Sequence, residues 1–296
     1  MLSREFDPPS IACYNSNVII DFHTHIVPPS VKDGRDTKAI QDPLYQSIHS
    51  GPKPRIATAD DLIESMDQDG IDWSVALNTG WTTHDICKRT NDYIMEAVNK
   101  YPDRLVGFCS IQPNSKDAAK EVERCARGGL RGIGEMMPHS QNFDLADKDL
   151  MEPIAETAKK YNMIILTHST EPVGHIYPGK GNVLPGVLYK FITNFPYLRT
   201  VCAHWGGGLP FYALMPEVAE ALENVYFDTA ASPFLYKYDV FPRVADLVGT
   251  EKILFGSDHP LITQRRIIKS LERLDMPQES KDAILGGNAR RLLGID

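Results

Sequence analysis

The stretch Val18-Ile19-Ile20-Asp21-Phe22-His23-Thr24-His25 sets the reading of the whole chain. A short apolar, β-branched run reads as a buried strand, and this one ends in two histidines one residue apart. Residues i and i+2 of a strand face the same side. His23 and His25 are therefore expected to present two imidazoles side by side at the strand's C-terminal end. Neutral imidazole is a ligand for zinc and similar metals. The same pattern, an apolar run ending in a polar group, recurs down the chain.

Further strands are expected over 73–78, 105–111, 130–136, 163–168, 199–204, 225–230 and 252–258. Helical spacing of apolar residues alternates with them over 58–70, 85–100, 115–127, 149–161, 187–194, 210–223, 240–248, 263–274 and 279–293. The first of these opens on Thr58 as N-cap and stops at Gly70. Eight strands, each followed by a helix, is the pattern of a (β/α)8 TIM barrel, here an α/β single domain over 1–296. A doubly wound open sheet is the rival, but no GxGxxG follows an early strand. Gly206-Gly207-Gly208 alone reads as a tight turn. Residues 1–17 form a polar N-terminal extension. Segment 26–57 has no sustained period and follows directly on the two histidines, so it is read as a long loop over a site.

The composition narrows the class. A chain of 296 residues with 42% hydrophobic and 24% charged residues is ordinary for a globular protein. A net charge of −8 without a basic run argues against nucleic acid or an anionic membrane as partner. No apolar stretch reaches transmembrane length, and no signal-like segment opens the chain. The five cysteines, Cys13, Cys87, Cys109, Cys125 and Cys202, are scattered and odd in number. That fits reduced thiols in a cytoplasmic setting. Oligomeric state is not legible, and a homo-oligomer is left open.

In a barrel the active site lies at the C-terminal ends of the strands. The polar residues expected there are His23 and His25, Glu135, His168, His204 and Asp258. Imidazoles and carboxylates together suit a divalent ion, zinc first, with manganese or iron as alternatives. Such an ion lowers the pKa of a bound water. DFHTH at 21–25, THS at 167–169, AHWGGG at 203–208, FGSDHP at 255–260 and GNARRLLGI at 287–295 together resemble the metal-dependent amidohydrolase superfamily. The likeness covers nearly the whole chain. It is strongest to the amidohydrolase 2 branch, which includes aminocarboxymuconate-semialdehyde decarboxylase-like proteins. The resemblance implies a metal held by His23, His25, His168 and Asp258, with His204 acting beside it. Glu135 departs from the decarboxylase members and resembles the strand-4 carboxylate of TatD-type hydrolases, which helps to hold a second metal. One or two ions are therefore allowed, and the alternative for Glu135 is to orient a histidine ligand.

This departure leads to the expectation of a metal-dependent hydrolase acting on a small-molecule amide, lactone or ester. Asp258 would move the proton of a metal-activated water, and His204 would stabilise the developing oxyanion. The alternative is a metal-dependent, non-oxidative decarboxylase of an aromatic or unsaturated carboxylic acid. It calls for a cation near the metal to hold a carboxylate, with Arg35, Arg55 and Lys180 as candidates. A non-enzymatic barrel with a closed structural metal is a further rival. His139, His175, Tyr177 and Lys180 on loops, and Asp228 at the end of strand 7, are the substrate-binding candidates. Asp228 could equally cap the next helix. His259 is read as structural, His49 and His84 carry no signal, and Trp81 and Trp205 are as well explained by packing as by a pocket.

Overall fold

All eight expected strands form, and they pair in chain order as one parallel sheet. The structure is a computed structural model describing residues 18–51 and 54–295; the extension read at 1–17, with Cys13, lies outside those residues. The strands are β1 (Ile20–His25), β2 (Trp73–Leu77), β3 (Leu105–Cys109), β4 (Gly132–Met136), β5 (Ile164–Thr167), β6 (Thr200–Cys202), β7 (Val225–Asp228) and β8 (Ile253–Leu254). The sheet closes between β8 and β1. A Thr24–His259 bridge joins them, with bonds from Phe22 N to Phe255 O at 2.7 Å and from Asp258 N to His23 O at 2.9 Å. The result is a single-domain (β/α)8 barrel.

Two strands do not keep a plain period of two, and both carry site residues. β1 pairs with β2 as Asp21↔Ser74 and then as Thr24↔Ala76, so β1 holds one extra residue. Ile20 and Phe22 belong to the barrel's interior core with Val75, Leu77 and Phe108. Strict alternation from them would aim His23 and His25 at the surrounding helices. The bulge resets the phase, and His25 comes level with interior Leu77. β4 does the same between Ile133↔Ile165 and Met136↔Thr167. Ile133 and Met136 both pack in the outer core, so the extra residue turns Glu135 inward. Gly134 makes this possible: its φ is 155°, and a Cβ there would lie 2.6 Å from Leu166 O.

The spans expected for β6 and β8 both run into left-handed backbone. His204, Trp205, Gly206, Gly207 and Gly208 have φ of 55°, 59°, 59°, 57° and 94°, and Asp258 has φ 67°. A strand ladder cannot continue through that region. Gly207 also lies against the Thr170 backbone, where a Cβ would meet Thr170 O at 2.3 Å.

The helix Ala59–Asp69 starts in a Thr58–Asp61 capping box and ends on Gly70 at φ 72°. Among its described residues, segment 26–57 holds three helices, Pro29–Lys32, Thr37–Ile40 and Pro43–Ile48. Each is too short for a helical period to show in sequence. The helix expected over 210–223 is split into a 3₁₀ turn, Leu209–Leu214, and a helix opening on Pro216. Trp81 and Trp205 are fully buried: Trp81 stacks on Tyr45 and Trp205 packs on Phe241. Cys87, Cys109, Cys125 and Cys202 are buried free thiols. Among the described residues no helix is long and apolar enough to cross a membrane.

Candidate metal centre

The strand ends bring His23, His25, Glu135, His168, His204 and Asp258 together at one mouth of the barrel. His23 Nε2 and His25 Nε2 are 3.0 Å apart. Asp258 Oδ1 is 3.4 Å from His25 Nε2 and 3.9 Å from His23 Nε2. Glu135 turns Oε2 to His25 Nε2 at 3.5 Å and Oε1 to His168 Nδ1 at 2.9 Å and His204 Nε2 at 3.4 Å. Two triads result, His23–His25–Asp258 and His23–Glu135–His204, each with its donor atoms within 4.8 Å of one another. His168 is in neither triad; it meets the cluster through Glu135.

The surrounding hydrogen bonds fix which nitrogens face inward. Asp228 is fully buried, and its Oδ2 lies 2.8 Å from His23 Nδ1. A carboxylate only accepts, so Nδ1 carries the proton and Nε2 keeps its lone pair for the site. Asp228 Oδ1 accepts from His204 N at 2.9 Å and Ala230 N at 3.0 Å. His204 Nδ1 is held at 3.2 Å by the carbonyl of Ala230, leaving Nε2 toward Glu135. Gly256 lets β1 approach β7 here: a Cβ on it would lie 2.9 Å from His23 Cβ.

Charge follows the same geometry. Burial alone would lower the pKa of His23, but Asp228, then Glu135 and Asp258, outweigh it and raise it to about 9. Burial likewise disfavours charge on His204, and Glu135 chiefly reverses this, to about 10. Glu135 and Asp258 are buried, which raises carboxyl pKa values, yet the imidazoles hold both below the ordinary range. Buried carboxylates that draw protons onto neighbouring imidazoles form a donor set that a divalent cation satisfies. His168 Nε2 is buried without a partner among the described residues. Such nitrogens are costly unless something takes them. These residues fit a divalent ion.

His25, Glu135, His168, His204 and Asp258 form the floor of a cavity of about 460 Å³, with His23 fully buried behind them. Its walls are mostly apolar, with Val27, Ile56, Met137, Phe234 and Leu261 prominent. The donors thus face open space, unlike a closed structural site. Arg55, His49, His175 and Tyr177 also line the cavity. Tyr177 donates to Glu171 Oε2 at 3.0 Å, and burial then Glu171 push its phenol pKa up.

Three substrate-binding expectations are corrected. Asp228 orients His23 and the strand-6 turn and does not reach the cavity, because its oxygens are spent on three nitrogens. Lys180 donates to the carbonyls of Val173 and His175 at 3.0 Å and tethers the loop instead of facing the cavity. His139 stands beside His168, ring centroids 5.5 Å apart, but lines a separate cleft with Asn142 and Asn182. Burial, then His168, lowers its pKa to about 4. Arg35 pairs with Asp33 at the surface. His259 packs away from the cavity as expected, and burial pushes its pKa down to about 4.

The amidohydrolase family profile matches residues 20–295. The chain belongs to the amidohydrolase family. It is 21% identical, over 94% of its length and 92% of the relative's, to 2-amino-3-carboxymuconate-6-semialdehyde decarboxylase of Dictyostelium discoideum. In structure it is similar to 5-carboxyvanillate decarboxylase from Sphingomonas paucimobilis, with TM-score 0.77, 18% identity and coverage of 95% and 100% of the two chains. It is also similar to a dihydroxybenzoic acid decarboxylase from Polaromonas sp. with bound manganese and 2-nitroresorcinol, with TM-score 0.72, 17% identity and 95% and 98% coverage. These relatives are decarboxylases, and they overturn the expectation of hydrolysis. The physical reason is that one donor set serves both chemistries. Glu135 tipped the reading toward hydrolysis, yet its bonds to His168 and His204 do not discriminate between the two. A divalent ion is supported, whereas the expectation of zinc in particular is not matched by the manganese in that neighbour.

Proposed function

We propose that this amidohydrolase-family protein is a metal-dependent, non-oxidative decarboxylase of an aromatic or unsaturated carboxylic acid. The observation that carries the proposal is the cavity: a mostly apolar chamber of about 460 Å³, large enough for a substituted aromatic acid, with Arg55, one of whose N–H groups donates to Leu261 O, on its wall and the donor cluster at its floor. The similarity to decarboxylases along 94% of the chain supports it.

His23, His25, His168 and Asp258, with Glu135 beside them, would hold the divalent ion. Manganese is the first candidate and zinc the second. Bound there, it supplies positive charge that orients and polarises the acid. Arg55 pairs with the carboxylate, and Met137 and Phe234 pack against the ring. His204, with Nε2 turned into the site, gives a proton to the carbon bearing the carboxylate. The carbon–carbon bond breaks, its electron pair forms the new C–H bond, carbon dioxide leaves, and His204 regains a proton from water. The apolar wall disfavours the charged acid relative to neutral carbon dioxide. His175 and Tyr177 border the outer edge of the substrate. Four buried free thiols support a reducing compartment, the cytoplasm.

The test is carbon dioxide release by manganese-loaded protein from a panel of benzoates and dienoic acids. Chelation is expected to abolish it and manganese to restore it. Arg55→Ala is expected to lower kcat/KM by roughly 10- to 100-fold, the worth of a charge-assisted hydrogen bond. Metal-loaded protein that releases no carbon dioxide from any acid of the panel would sink the proposal. Metal content of wild type and Glu135→Gln counts the ions: two falling to one assigns a second ion to the His23–Glu135–His204 triad, and one in both makes Glu135 an orienting group.

A further inference from the structure

His49 carried no signal in the sequence, yet it lines the cavity, and its ring is fixed from outside it. It caps the helix Pro43–Ile48, and its backbone N–H donates to Tyr45 O at 3.0 Å. Its ring Nδ1 lies 3.0 Å from the same carbonyl. A carbonyl only accepts, so Nδ1 carries the hydrogen, and the neutral ring has its lone pair on Nε2.

The ring cannot easily turn away. It lies on Tyr45 with centroids 4.2 Å apart, and Tyr45 stacks on fully buried Trp81 at 5.7 Å. Trp81 is held by Asn78 Oδ1 at 3.2 Å from its Nε1. At the other end of the helix, buried Asp42 accepts from Leu44 N at 3.0 Å and from Thr82 N at 2.9 Å. The helix and the β2 connection therefore form one rigid support. Burial, which outweighs the Tyr45 bond and acts with His25, lowers the pKa of His49 and favours the neutral ring.

The cavity thus holds two distinct recognition groups on segment 26–57. Arg55 can only donate, and His49 Nε2 can only accept. We infer that His49 is a specificity-determining residue that accepts a hydrogen bond from a hydroxyl or amino group on the acid substrate. This rests on the reading of the cavity as an acid site. It narrows that reading to acids that also carry a hydrogen-bond donor.

The experiment measures binding of the three hydroxybenzoates and their methyl ethers to manganese-loaded protein by calorimetry, with carbon dioxide release followed on the same samples. His49→Phe keeps a ring on Tyr45 and removes the acceptor. His49→Gln restores a carbonyl acceptor. Wild type is expected to prefer one hydroxybenzoate over its ether. That preference should fall about tenfold in His49→Phe, the worth of one hydrogen bond, and return in part in His49→Gln, with metal content equal in all three. An equal preference in wild type and His49→Phe, or none in wild type, overturns the assignment and leaves His49 as a helix cap. If wild type binds none of the six acids, both this inference and the acid-site reading fall. Discrimination lost in His49→Phe without carbon dioxide release overturns the decarboxylase proposal alone.

Discussion

The lower and upper halves of the barrel interior share the same strands and do opposite things. The lower half is Ile20, Phe22, Val75, Phe108, Leu166, Val201 and Leu254, with Phe22 and Phe108 edge to face at 5.8 Å. Ala289, Leu292 and Leu293 cover it from below. The upper half is four imidazoles and two carboxylates, a donor set that fits a divalent cation. Apolar burial stabilises at about 25 cal/mol per Å², whereas each buried charge costs free energy unless paired. The barrel is therefore stabilised below and spends part of that stability above. One step along β1, from Phe22 to His23, crosses the border, and the β1 bulge sits at that step.

The largest effect should come from breaking the lower half. Phe22→Ala is expected to cost about 3–5 kcal/mol of folding free energy, read by denaturant melts. Bound metal per folded chain should stay the same at low temperature. If its metal affinity drops in step with stability, the two halves are one unit and the comparison fails. In the opposite direction, Asp228→Asn removes the charge behind His23. Metal affinity should fall roughly 10- to 100-fold in a chelator competition, while the melt moves less than for Phe22→Ala. Unchanged affinity would return Asp228 to a purely structural role. The smallest effect is expected for Lys180→Ala, which removes two exposed bonds in the loop over the cavity. A change in KM of a few-fold with kcat and metal content unaltered fits tethering. A collapse of kcat would instead make Lys180 part of the chemistry.

Where sequence reading succeeded, local chemistry and tertiary structure agreed. Thr58, Asp61 and Gly70 bound their helix because capping is local. His168 and Asp258 were visible because each ends an apolar run. The readings that failed depended on distant partners. Asp228 reads equally as a helix cap or a substrate ligand, because nothing nearby in the chain reveals His23, 205 residues away, as its partner. His49 was invisible because its tautomer depends on Tyr45 and its exposure on the cavity. Hydrolysis is the expectation that Glu135 alone supports, and similarity to decarboxylases over nearly the whole chain overturns it.

The sequence by itself determined the (β/α)8 barrel and set six candidate cation donors at the ends of its strands, because strand period and apolar-to-polar run ends are local properties. Tertiary structure decided where those donors point. Bulges in β1 and β4 and left-handed backbone at His204 and Asp258 turn them inward, and such turns arise only when neighbouring strands set the register. Tertiary structure also decided which of the loop cations lines the cavity. Arg55 lines the cavity and donates to Leu261 O at 2.5 Å, whereas Arg35 pairs with Asp33 at the surface and Lys180 donates to the carbonyls of its own loop, because loops take their positions from the surfaces on which they pack.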